Sequence, residues 1–222
     1  MDTKSKELIG NFYRNGHYYA QRHRLVNDHD FPSYAEAKLV PHGLYDVATN
    51  KGYLSLGTSK DTSAFACDNI EAFWNSHLSK TYAGCDSLLL LCDGGGSNNS
   101  RHHIVKQDFY HLAKKLDINI VVAHYPPYCS KWNPIEHRLF CHIHRAWDGA
   151  VFHSIDIAKE LAEMTSTSSG LEVFVRINSN TYQTQRPVDL RFKEHLHHLV
   201  SFDPILPQWN YSFLKQNRNL IF

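Results

Sequence analysis

The chain has 222 residues, 42% hydrophobic and 20% charged, proportions that fit one soluble globular domain with at most a small appendage. Its formal net charge is +1 with histidine counted neutral, so charge gives no support to a long nucleic-acid footprint and any basic surface must be local. The apolar run at 88–92 is far too short to span a bilayer, and no secretory signal opens the chain. The five cysteines form no C-x-x-C pair, so reduced thiols in a cytoplasmic protein are the expectation.

Residues 7–13 (ELIGNFY) read as a strand, and 14–40 as polar and irregular, with Phe31-Pro32-Ser33 as a breaker. A hairpin follows, with strands at 43–48 and 53–57 around a turn at 49–52. Asp61 or Thr62 can cap a helix that runs to about 78, with Ala66, Ile70, Phe73, Trp74 and Leu78 on one face. The apolar run 87–92, bounded by polar residues, predicts a strand buried on both faces, followed by a glycine-rich turn at 94–96. A helix over 100–116 turns Val105, Phe109, Leu112 and Leu116 inward, and a strand at 119–123 is ended by Pro126 and Pro127. Asn133-Pro134, a cap followed by proline, opens a third helix with Ile135, Leu139, Ile143 and Trp147 as its apolar stripe. Ser154 can cap a fourth helix through about 164, and 171–177 reads as a strand. A helical stretch near 190–200 precedes a proline-interrupted tail ending in Trp209-Asn210-Tyr211. This order predicts an α/β fold: a mixed sheet with flanking helices in a core over 1–150, and a small mixed helical and strand extension over 151–222 packed on it.

Asp93 directly follows the buried run and precedes three glycines. A carboxylate at the carboxyl end of such a strand points into the crevice where α/β sheets place ligands, and glycine lets another backbone approach. The plainer reading is an aspartate opening a turn. Glu136 stands three residues after Asn133. That spacing is also a capping box, in which the glutamate bonds back to the cap amide. Lys131 and Arg138 flank it and could reach phosphates. For a third carboxylate, Asp2 before the first strand and Asp46 in the hairpin are both open. Cys129, His137, Cys141, His142 and His144 cluster in sequence without a common zinc spacing, which leaves a His/Cys metal-binding protein as a competing reading.

Several segments carry a resemblance: Asp2-Thr-Lys-Ser-Lys-Glu-Leu-Ile-Gly-Asn-Phe, His29-Asp-Phe, Gly43-Leu-Tyr-Asp-Val, Cys92-Asp-Gly-Gly-Gly-Ser-Asn, His124-Tyr-Pro-Pro and Ser130-Lys-Trp-Asn-Pro-Ile-Glu-His-Arg-Leu-Phe. Together with Trp147, Thr165-Ser-Thr-Ser-Ser-Gly-Leu and Trp209-Asn-Tyr, and in this order, they resemble the DDE transposases of the Rhodopirellula type, which are insertion-sequence enzymes. The resemblance implies a ribonuclease-H-like fold and a catalytic triad of Asp2, Asp93 and Glu136, with Asp46 left as a hairpin residue. It implies metal-dependent cleavage and strand transfer of DNA, using two Mg²⁺ or Mn²⁺ ions about 3.5–4 Å apart. Hard carboxylate oxygens suit those ions. Lys131, Arg138 and Asn98 are then expected DNA contacts, transposon ends and target DNA the partners, and a homodimer the common form of such enzymes. Relatives of this type carry a DNA-end-binding region and the first half of the first strand before the aspartate that Asp2 matches. The expectation is therefore a truncated remnant that folds partly and catalyses little, with a non-catalytic DNA-binding or regulatory protein as the alternative.

Overall fold

The computed structural model describes residues 1–17, 19–95, 98–126 and 129–219. Gly96 of the predicted glycine turn and Pro127 of the paired prolines lie outside the described residues. In chain order the strands are β1 (Asp2–Thr3), β2 (Glu7–Ile9), β3 (Ala37–Asp46), β4 (Lys51–Gly57), β5 (Ser87–Cys92), β6 (Asn119–His124), β7 (Glu172–Asn178), β8 (Ser201–Phe202) and β9 (Asn210–Phe213). The α-helices of four or more residues are α1 (Ser63–Phe73), α2 (His103–Leu116), α3 (Cys141–Trp147), α4 (Ile155–Glu163), α5 (Leu190–Glu194) and α6 (Leu196–Leu199). Two compact units interleave along the chain. One comprises Asp2–Ser59 and Pro134–Thr181, the other Met1, Lys60–Asn133 and Tyr182–Phe222.

In the unit containing Asp2, β3 and β4 form the expected hairpin, and β7 lies parallel to β4. β1 and β2 pair in succession along the other edge of β3. β3 starts at Ala37, earlier than the expected 43, and runs through Pro41 without interruption, paired with β2 over Ala37–Leu39. The first predicted strand is shorter than expected, since Gly10 turns the chain at φ +129 right after Ile9. The 135/139/143/147 stripe is buried as predicted, each residue at most 2% exposed. In a regular α-helix, three steps of four residues drift about 120° around the axis. The wider π-turn over Glu136–Phe140, which the sequence did not announce, takes up much of that drift. The helix also lies close on the hairpin. A Cβ at Gly43 would meet the Phe140 ring at 2.5 Å, and Leu139 occupies the equivalent space at Gly52. Leu39, Leu54 and Leu56 from the hairpin and Phe152, Ala158 and Ala162 complete this core. The Trp147 indole donates to the Ala158 carbonyl at 2.9 Å. Arg14, only 8% exposed, ties the N-terminal segment to this core. It donates to Glu7 and to the Leu8 and Ala150 carbonyls, and its guanidinium lies 3.5 Å from the Phe152 ring centroid.

The unit containing Asp93 has a sheet in the order β5-β6-β9-β8, with β5 and β6 parallel and linked through α2. Thr62 caps α1, its side chain accepting from the Phe65 amide at 3.2 Å. The predicted helix to 78 continues as a second π-turn, Trp74–Leu78. β5 corrects the expectation of burial on both faces. Leu90 and Cys92 are buried, but Leu89 on the opposite face is 59% exposed. α2 starts at His103 because 98–101 is used for turns, with the His102 amide donating to the Asn99 carbonyl. The tail read as proline-interrupted closes into the β8–β9 pair, which adds to β6. The helical stretch near 190–200 is two short helices broken at His195. The 182–189 segment is fastened by Arg186, which forms an ion pair with the nearly buried Asp108 carboxylate, itself accepting from the Ser63 hydroxyl at 2.5 Å. Among the described residues no helix is long and apolar enough to cross a membrane.

Candidate active site

Asp93 stands one residue beyond β5, half-buried, as the apolar run required. The Asn98 amide donates to its carboxylate at 3.3 Å. Asp93 lines a pocket of about 430 Å³ with Gly94, Asn99, Arg101, Tyr125 and Trp209. Trp209 lies over the glycine turn, its ring edge 3.4 Å from where a Cβ of Gly94 would stand, at ordinary van der Waals distance.

Two buried side chains hold the 98–101 loop around this pocket. His124, at the end of β6, has Nε2 2.8 Å from the Asn98 carbonyl and Nδ1 2.7 Å from the Trp209 carbonyl. Both partners are acceptors, so which contact the ring donates to depends on its tautomer. Lys106, 6% exposed on α2, donates to the Ser100 carbonyl and lies 4.9 Å from the Tyr211 ring centroid. Burial holds its ammonium below the usual lysine pKa, and burial pushes the Tyr211 hydroxyl up. Sequence reasoning missed His124, Lys106 and Trp209 as parts of the site. His124-Tyr-Pro-Pro and Trp209-Asn-Tyr stood out as motifs, but nothing in them told that they meet.

Asp2 and Glu136 belong to the other unit. Asp2 lies in β1 opposite Gly43, and its Oδ1 accepts from the Thr3 amide at 2.7 Å. Glu136 is the first residue of the π-turn. Its neighbour Ile135 approaches to 3.1 Å of a Cβ at Gly43, beside Phe140. One glycine therefore brings the β1 register and the start of the glutamate helix together. Asp46 is used elsewhere: its carboxylate accepts from the Ala48 and Thr49 amides and from the Thr49 hydroxyl at 2.6 Å, closing the turn after β3. Lys131 and Arg138 are exposed, Lys131 in the Asp93 unit and Arg138 in the Glu136 unit. Asn98 is 2% exposed.

Carboxylate oxygens suit a hard divalent cation by their chemistry. Among the described residues, no group of three or more His, Cys, Asp or Glu side chains is gathered closely enough to hold a metal ion. The same holds for the His/Cys cluster of the competing reading, in which Cys141 donates to the His137 carbonyl at 2.9 Å.

Comparison with curated proteins and with solved structures gave no match. A family model does match, over residues 1–214, and by it the chain belongs to the Rhodopirellula transposase DDE domain family.

Proposed function

We propose that the chain is the catalytic domain of an insertion-sequence DNA transposase with a ribonuclease-H-like fold, and that Asp2, Asp93 and Glu136 are its catalytic carboxylates. The observation that carries this reading is Asp93, which stands at the carboxyl end of β5 beside an open pocket in a chain of the DDE family. The use of Asp46 within its own turn supports Asp2 as the first aspartate. The β3–β4 hairpin with β1 at its edge, and the parallel β5–β6 pair linked through a helix, support the fold.

DDE transposases generally use divalent metal ions, and such ions would supply an activated water and a stabilised leaving oxygen for phosphodiester cleavage. The residues of this chain have separable parts. The three carboxylates would be the oxygen donors for Mg²⁺ or Mn²⁺. Asn98 holds the Asp93 carboxylate, a role that its burial favours over the direct DNA contact expected from sequence. Lys131 and Arg138 contact phosphates of the transposon ends and target DNA, which a homodimer would bring together.

The test is nicking of labelled duplex DNA by the purified chain with Mg²⁺ or Mn²⁺. Asp93→Asn, Asp2→Ala and Glu136→Ala are each expected to lower the rate by more than about 100-fold, since even outer-shell partners of a metal are worth 10–100-fold. Asp46→Ala should stay within about twofold. Undiminished nicking by Asp93→Asn would falsify the assignment. DNA binding with no nicking in the parent chain would replace it with a non-catalytic DNA-binding protein.

A further inference from the structure

We infer that the pocket beside Asp93 takes one unpaired nucleotide of a DNA strand, its base stacked against Trp209 and Tyr125 and its phosphate against Arg101. This rests on the reading of Asp93 as part of a DNA-cleaving site. The pocket, about 430 Å³, falls in the range of sites that enclose small ligands. Its wall joins two aromatic rings, one guanidinium, the Asn99 amide and bare glycine backbone. Aromatic faces accept any base by stacking, and a cation beside them takes the adjoining phosphate. Asp93 on the same wall repels phosphate, which sets the direction in which a strand can enter. A base within a duplex has both faces covered by its neighbours, so only an unpaired one can enter.

Two further observations support this occupant. The aromatic wall is built to stay in place: the Trp209 carbonyl is bonded by both the ring and the backbone amide of His124, and the Trp209 amide donates to the Leu206 carbonyl at 3.0 Å. The same unit also displays Trp132, 68% exposed, with the Lys131 ammonium 5.2 Å from its ring centroid. The Trp132 amide donates to the carbonyl of Cys129, which lines the pocket. An exposed tryptophan paired with a lysine beside the pocket offers a second stacking platform for the same strand. A net charge of only +1 gives little general attraction for DNA, so stacking must carry much of the affinity.

The experiment uses the full chain, without added divalent metal, and a short single-stranded oligonucleotide carrying 2-aminopurine. Binding is expected to quench the 2-aminopurine. Trp209→Ala should weaken binding of this strand about tenfold and relieve the quench, while affinity for a fully paired duplex stays within about twofold. Trp209→Phe should recover most of the affinity. Circular dichroism checks each variant, and Tyr125→Ala, expected to weaken strand binding severalfold, serves if Trp209→Ala does not fold. Absence of quench in the parent chain, or unchanged affinity in Trp209→Ala, overturns the proposal. Competition by free deoxyadenosine monophosphate as effective as by the oligonucleotide also overturns it, in favour of a mononucleotide site. Because no cleavage is involved, the outcome is independent of Asp93→Asn nicking, so the pocket and the catalytic reading fail separately.

Discussion

The two units hold their candidate carboxylates by different means. Around Asp2 and Glu136 the work is done by apolar packing and strand register: Gly43 pairs with Asp2 on one side and yields its Cβ space to Ile135 and Phe140 on the other. Around Asp93 it is done by polar bonds to loop backbone, with Asn98 on the carboxylate, His124 on two carbonyls and Lys106 on a third. Packing fails mostly as lost stability, because an overfilled core must shift as a body. A polar loop network fails mostly as lost geometry, because the surrounding sheet survives when one bond goes.

The largest expected effect lies in the polar half. Asn98→Ala should cut metal-dependent nicking about 10–100-fold, as loss of an outer-shell partner does, with the thermal midpoint lowered by only a few degrees. Full nicking in this variant would break the polar side of the comparison. On the packed side, Gly43→Ala should lower unfolding stability by about 1–3 kcal/mol in urea titrations, because the Phe140 ring is 2% exposed and cannot easily step aside. An unchanged midpoint would show that the helix does not depend on that glycine.

An effect that appears only on acidification concerns His42, fully buried on β3 opposite Thr3, whose pKa is pushed down by burial to about 3. In the unfolded chain the ring titrates near 6.5. Between those values the unfolded state binds the extra proton and the folded state does not, so stability falls as pH drops below about 6.5 towards 3 and is flat above. The slope should be about 1.4 kcal/mol per pH unit over that window. Stability curves of the chain and of His42→Gln between pH 7 and 4.5 would expose it as a difference, and parallel curves would remove His42 from the account.

Much of the fold could be read along the chain wherever a segment's own pattern was strong. The hairpin turn, the Thr62 cap, the 87–92 and 119–123 runs and the 135/139/143/147 stripe all became elements close to where they were expected. Misreadings fell where a distant partner decided the outcome. Residues up to 40 looked irregular, but Ala37–Val40 belong to β3 and are held there by pairing with β2 and β4. The tail looked irregular until β9 found β6. The π-turn at Glu136 leaves no local signature, since its residues are ordinary helix formers and the packing on Gly43 and Gly52 selects the wider turn.

The candidate site divides in the same way. The amino-acid sequence by itself determined which carboxylates stand at an element's end, Asp93 after an apolar strand and Glu136 after Asn-Pro-Ile, because hydrophobic runs and caps act over a few residues. It also determined the family, since the motifs occur in order over almost the whole chain. Only the tertiary structure decided that Asp46 closes its own turn, that Asn98 is buried against Asp93, and that His124 and Lys106 hold the loop beside the pocket that Trp209 lines. The contact between His124 and Trp209 joins positions far apart in the chain and forms only once β9 has paired with β6, a choice made by long-range packing rather than by any local pattern.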